Sequence, residues 1–242
     1  VRLKVAIVSA KTILLGSLLL LFAGRVSFAQ ETLKVKNVLR DYDLTVRVKN
    51  CGDDPEVCSG EARVSVSRKG AGAAFQVLSL ENVEIYRETV AHNPKLNAKP
   101  RGLYAEEYSF IADDFNFDGR EDLAVCNGRN SGYNGPSYTV FLFNPRSKRF
   151  VENKKLSELA EGAYLGLFFV DKKKRQLVAY SKSGCCYHET DKFRMVGDRP
   201  LLVEKITEDA MGGTGFVVTT TKRLVNGRWV KRVRKEKMKE EN

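Results

Sequence analysis

The chain has 242 residues, and its 41 Lys and Arg outweigh 30 Asp and Glu to give a formal net charge of +11. That length suits one globular domain of the larger kind that all-β folds reach, with a short leader in front of it. Net charge speaks to solubility and encounter rates rather than to fold. On an exported chain it argues against nucleic acid and for an anionic envelope surface or an acidic protein cleft.

Residues 1–29 have the layout of a signal peptide. Arg2, Lys4 and Lys11 make the basic start, Ile13 to Ala23 the apolar stretch, and Ser27-Phe28-Ala29 the small-x-small pattern read by signal peptidase. The apolar stretch falls short of the ~20 residues of a membrane span. No cysteine follows it to carry a lipid. The expectation is a periplasmic mature domain over 30–242 that meets a membrane only through its cleaved leader.

Leu33 to Val48 holds two runs of period-two alternation, Ala62 to Ser67 another, and Phe75 to Arg87 two strands about a Glu81-Asn82 corner. Between the first of these lies CGDDPEVC, where Cys51 and Cys58 pair as a local clasp. Export permits disulfides. Ala91 to Gly102, with two prolines, reads as a loop, and Tyr108 to Ala112 as the strand leading into the next motif.

That motif is DDFNFDGREDLAVC, Asp113 to Cys126. Oxygen-bearing side chains recur at Asp114, Asn116, Asp118 and Asp122, with Gly119 at the tight position and the Arg120 carbonyl as a further donor. Calcium is a hard cation that takes about six to eight oxygens, and this spacing matches a calcium loop. An EF-hand needs a bidentate Glu where Val125 stands, so the loop runs into a strand and not a helix. The plain alternative is an Asp/Asn/Gly-rich turn with no metal.

Asn127 to Tyr138, NGRNSGYNGPSY, is too rich in Gly, Asn and Pro for a helix. Its glycines let backbone approach a partner closely. Tyr133 is an aromatic anchor of the type enriched at binding hot spots. Asn130, Tyr133, Asn134 and Tyr138 are the expected contact residues. Tyr138 to Phe143 is a strand, Asn153 to Ala160 a two-turn helix, and Tyr164 to Val170 and Gln176 to Ser181 are strands about DKKKR. Lys192 to Val196 and Leu201 to Thr207 follow. Phe216 to Val225 and Arg228 to Val233 form a hairpin about Asn226-Gly227, the strongest short hairpin signal. The tail from Arg228 carries seven Lys and Arg and reads as a solvated edge.

Cys185 and Cys186 are adjacent in SGCCYHET. They pair with each other and leave Cys126 as a thiol, or one of them bridges to Cys126; geometry decides. A Cys–His nucleophile would use His188 with Glu189, but strand neighbours point to opposite faces. His92 and His188 alone argue against zinc. No phosphate loop, nucleophile elbow or dinucleotide fingerprint is present. The expectation is a binding protein and not an enzyme, with a glycan- or surface-binding module as the alternative and a hydrolase using His188 behind both.

DFNFDGREDLAV resembles the calcium loop of FG-GAP-type propeller repeats. The longer run DFNFDGREDLAVCNG…GPSYTVFLF, with SGCCYHET after it, is similar to a family of bacterial periplasmic proteins. Members include immunity proteins that inhibit lysozyme-like peptidoglycan hydrolases delivered by a type IV secretion system. The resemblance, strongest from about Ile111 to His188, implies an all-β, propeller-like fold of about five small blades with one short helix. It also implies bound calcium on Asp114, Asn116, Asp118, Arg120 and Asp122, and inhibition by a loop plugged into a hydrolase cleft.

Overall fold

Period-two alternation becomes pleated sheet along most of the chain. The computed structural model describes residues 31–49, 51, 54–88, 90–92, 108–212 and 215–238, so the expected leader lies outside the described residues. Strands β1 (Glu31–Val35), β2 (Tyr42–Val48), β3 (Val57–Arg68) and β4 (Ala74–Tyr86) form one sheet in chain order. A second sheet holds β5 (Ala91–His92), β6 (Phe110–Asp113), β7 (Asp122–Gly128), β8 (Ser137–Asn144) and β9 (Arg149–Glu152). The third runs through β10 (Phe169–Asp171), β11 (Gln176–Ser183), β12 (Tyr187–Val196), β13 (Arg199–Asp209), β14 (Phe216–Val225) and β15 (Arg228–Lys237). Pairing is antiparallel throughout except β5 against β6.

The middle sheet lies between two cores, and β7 serves both. Leu123 and Val125 point into one core with Val46, Val64 and Ile85 of the first sheet. Ala124 and Cys126 point into the other, against helix α1 (Lys154–Glu158) and against Leu177 and Phe193 of the third sheet. Such two-sided burial explains the unbroken apolar run LAVC, since a strand covered on both faces loses its alternation. Asn153 caps α1 by accepting the Leu156 N–H at 3.0 Å.

Several elements differ from their sequence reading. In place of two strands over Phe75 to Arg87 there is one, β4 (Ala74–Tyr86), because Glu81-Asn82 sits in a bulge opposite Glu61 rather than at a corner. Of Tyr164 to Val170 only the end is strand. The Tyr164 carbonyl accepts the Gly132 N–H at 2.6 Å and the Leu165 N–H donates to Tyr180 at 2.8 Å, so this stretch braces a loop instead of joining a ladder. The short strands β5 and β9 carry too little alternation to be seen. Both expected disulfides, Cys51–Cys58 and Cys185–Cys186, are formed, and Cys126 is buried and belongs to neither. No helix among the described residues is long and apolar enough to cross a membrane.

Leu123 is fully buried and Val151 is 50% exposed. Leu123→Ala should therefore cost about 2–5 kcal/mol in urea unfolding. Val151→Ala should stay within about 0.5 kcal/mol of wild type.

Candidate functional site

The loop that enters β7 alternates in three dimensions as it does in sequence. Phe115 and Phe117 are buried in the second core, while Asp114, Asn116 and Asp118 stand on the opposite side. Phe115 packs edge-on against Phe168 at 5.4 Å, and Arg175 lies over the Phe117 ring at 5.4 Å while donating to its carbonyl at 2.6 Å. Each acid also closes part of the turn. Asp114 accepts N–H groups from Asp118 at 2.9 Å and Gly119 at 2.8 Å, and Asp118 accepts from Arg120 at 2.8 Å. Gly119 has φ +91°, a conformation L side chains rarely adopt.

Asp122 stands apart from these. It is completely buried, and its oxygens accept the N–H of Phe115 at 2.8 Å and of Phe143 at 2.9 Å. Burial pushes its carboxyl up to about 8, and the nearby charges of Asp118 and Asp114 push the same way against the two N–H bonds. Asp198 was missed by sequence reasoning, because it arrives from the β12–β13 turn. Its carboxylate accepts from the Asn116 amide at 3.2 Å, and its carbonyl accepts from the Asn153 amide at 2.7 Å. A shallow cleft lies here, lined by Asn116, Asp118, Asn153 and Asp198.

The donor set, all carboxylate and amide oxygen, suits a hard cation. Each carboxylate oxygen keeps lone-pair capacity beyond one N–H bond. The loop aspartates are nonetheless not drawn tightly together. Among the described residues, the set of three acid, His or Cys groups whose ligand atoms all lie within 4.8 Å of one another is Glu31, Cys51 and Cys58. Those cysteines are bonded to each other and Glu31 pairs with Arg87 at 2.5 Å, which leaves no thiolate for a metal.

The loop after β7 brings its expected contact residues to different places. Asn130, Tyr133 and Asn134 are exposed, Tyr133 by 61%. Tyr138 is 2% exposed, and its hydroxyl donates to the Tyr108 carbonyl at 3.0 Å. Its place among the contact residues is thereby corrected: period two turns it into the second core. Tyr133 and Asn134 both have φ +56°, left-handed backbone that non-glycine residues adopt at a cost. The Tyr133 hydroxyl accepts the Gly184 N–H at 2.5 Å, and Lys182 lies over its ring at 4.7 Å. Thus the Cys185–Cys186 turn grips the tyrosine from the neighbouring sheet. A side chain at Gly132 would meet the Ala163 carbonyl at 2.7 Å, so only glycine allows the loop to seat there.

No Cys–His–acid arrangement forms among the described residues. Cys185 and Cys186 are oxidised, His188 is exposed, and Glu189 pairs with Lys205 at 2.6 Å. Asp191, buried beside them, accepts from Tyr164 at 2.8 Å and meets Lys205 at 3.2 Å. Burial pushes its carboxyl up, while the Tyr164 and Lys205 bonds oppose this.

The Asp122 shift makes stability pH-dependent. Its native carboxyl, at about 8, lies above the 3.8 of the unfolded chain. The native state then holds a proton that the unfolded state has lost, and stability falls as pH rises between those values. With divalent cations chelated, the protein should melt lower at pH 8.5 than at pH 5.5. Asp122→Asn should flatten that dependence, as read by thermal melts across the range.

No family model matches the chain, and no curated protein matches it. Among solved structures it is similar to one described as "Structure of a Xanthomonas Type IV Secretion System related protein". The TM-score is 0.68 at 25% identity, over 86% of this chain and 94% of that one.

Proposed function

We propose that this chain is an exported, calcium-stabilised binding protein. In this reading it inhibits a lysozyme-like peptidoglycan hydrolase in the setting of a type IV secretion system. The observation that carries the reading is Tyr133, 61% exposed yet held by left-handed backbone, the Gly184 N–H and Lys182. An aromatic fixed before contact loses little freedom on binding, which is the condition for a hot spot. The similar Xanthomonas protein supports the secretion setting. The two disulfides support an oxidising compartment such as the periplasm. The three sheets are read as blades of a propeller-like arrangement, and β1–β4 has the four strands of one blade.

Calcium has a place in this reading. Asp114, Asn116, Asp118 and Asp122, with the Arg120 carbonyl, are the residues that would hold it, and Asp198 stands beside them. A bound cation would supply the positive charge that the buried Asp122 and its acidic neighbours lack. The protein side of this arrangement anchors β7, from whose end the Tyr133 loop departs. The exposed Tyr133 ring also suits stacking on a sugar, which favours the glycan-binding alternative.

Saturating calcium should raise the melting temperature. Occupancy at a hundred times the dissociation constant adds about 2.7 kcal/mol. Asp118→Ala should lose that gain, and a melt unchanged by chelation would sink the metal site. For the inhibitor reading, the protein is added to a lysozyme-like hydrolase encoded beside it, and clearing of a peptidoglycan suspension is followed. Inhibition is expected at micromolar concentration or below. Tyr133→Ala should weaken it by roughly 30-fold, the loss typical of a hot spot. Undiminished clearing rejects the reading, and binding to peptidoglycan fragments alone favours the glycan module.

A further inference from the structure

The β14–β15 hairpin is built unlike the rest of the molecule. Its pairing with β13 ends where Arg223 meets Glu204, so Leu224 to Trp229 turn about Asn226-Gly227 with no ladder to β13. Cross-strand register places Leu224 opposite Trp229 on one face, and Val225 and Val230 on the other. This end is therefore apolar on the Leu224–Trp229 face and mixed on the other, where Val225 stands opposite Arg228 and Val230 opposite Arg223. Val225 and Trp229 are each 48% exposed and Val230 54%. All of β15 is exposed.

A cationic collar runs back from this end, beginning with Arg228 beside the turn. The two strands hold two basic residues from β14 and six from β15, against the single acid Glu236. Lys222 and Lys231 face each other directly, an arrangement that costs stability in isolation. Arg223 pairs with Glu204 and Arg234 with Glu236. Among the described residues, none of Lys222, Arg228, Lys231, Arg232 and Lys237 has a carboxylate partner.

A charged edge kept soluble by lysine explains the collar but not an apolar tip. A second copy would bring the same positive charge to the contact. A hydrated polyanion satisfies the cations and leaves Trp229 and the valines without a role. A bilayer of anionic lipid matches both features, since its headgroup layer takes the cations and its interface takes tryptophan and aliphatic side chains.

We propose that the β14–β15 hairpin docks this protein on an anionic phospholipid surface. The Leu224–Val230 end enters the interface, and the collar lies against the headgroups. This revises the sequence reading, in which the basic tail was only a solvated edge and the leader the only membrane contact. It is independent of the hydrolase reading.

Trp229 is the single tryptophan of the chain, so its emission reports the tip directly. The protein is titrated with vesicles of phosphatidylglycerol and phosphatidylethanolamine, with phosphatidylcholine vesicles, and with soluble polyglutamate. The expected result is a blue shift and co-sedimentation with the anionic vesicles alone, reversed by high salt as screening shortens the reach of the collar. Lys231→Ser with Arg232→Ser should lower partitioning by roughly tenfold or more. Trp229→Ser with Val230→Ser should lower sedimentation as well, and both variants, altered at exposed positions, should melt as wild type. Any of three results overturns the proposal. These are the absence of a blue shift, an equal shift with polyglutamate, and sedimentation of both variants equal to that of wild type, which would place membrane contact elsewhere. The wild-type emission result stands without either variant.

Discussion

Inside the protein, with no water to replace either bond, Asp122 takes the N–H of Phe115 on one oxygen and the N–H of Phe143 on the other. One bond fastens the incoming loop and the other fastens β8, while the residue itself begins β7. Losing an acceptor at such a site leaves two buried donors unsatisfied, which costs more than the bonds contribute when made. Burial raises the proton affinity of this carboxylate, and the nearby charges of Asp118 and Asp114 add to the rise. Structural closure and a demand for positive charge are thus placed on one side chain. A cation on the loop would relieve the electrostatic part without disturbing the hydrogen-bonded part.

From Asp122 the dependence runs along β7. Because this strand contributes side chains to both cores, any shift in its height is felt by the first sheet and by the third. The Tyr133 loop leaves from its end, is seated against residues 163–164, and is gripped by the turn of β11 and β12. The exposed aromatic is consequently fixed from two sheets, although it sits on a loop. A loop built this way has the rigidity usually found in regular elements, which is what a preorganised contact residue requires.

How much of this was legible follows from the range of the forces involved. The alternation of D-F-N-F-D is local, and its polar half was read from spacing, whereas the burial of Phe115 and Phe117 came from the structure. The Asn226-Gly227 hairpin and the Asn153 cap are equally local signals. Tyr138 was misjudged because its neighbours in the loop are polar, whereas its face is set by the pleat of β8. Asp198 was missed because the contact with Asn116 spans 82 residues and depends on how two sheets pack. The Gly184–Tyr133 bond spans 51 residues and was hidden for the same reason. The bulge opposite Glu81-Asn82 leaves no compositional mark, since polar residues there suit a corner equally well.

In all three sheets each strand lies beside its neighbour in sequence, from β1–β4 through β5–β9 to β10–β15. No strand has to wait for a later one to be inserted between it and its partner. A chain that emerges amino end first, from a ribosome or a translocation pore, can therefore complete one sheet before the next has been delivered. The entropy lost in closing most connections stays small because they are short, the stretch 93–109 between β5 and β6 being the long one. Only the seams remain for the end, among them the Arg40–Glu121 bond and the paired Gln76–Phe150 bonds that join the first sheet to the second. Assembly order is in this way written into the strand order, with the exposed basic hairpin the last of the three sheets' strands to arrive.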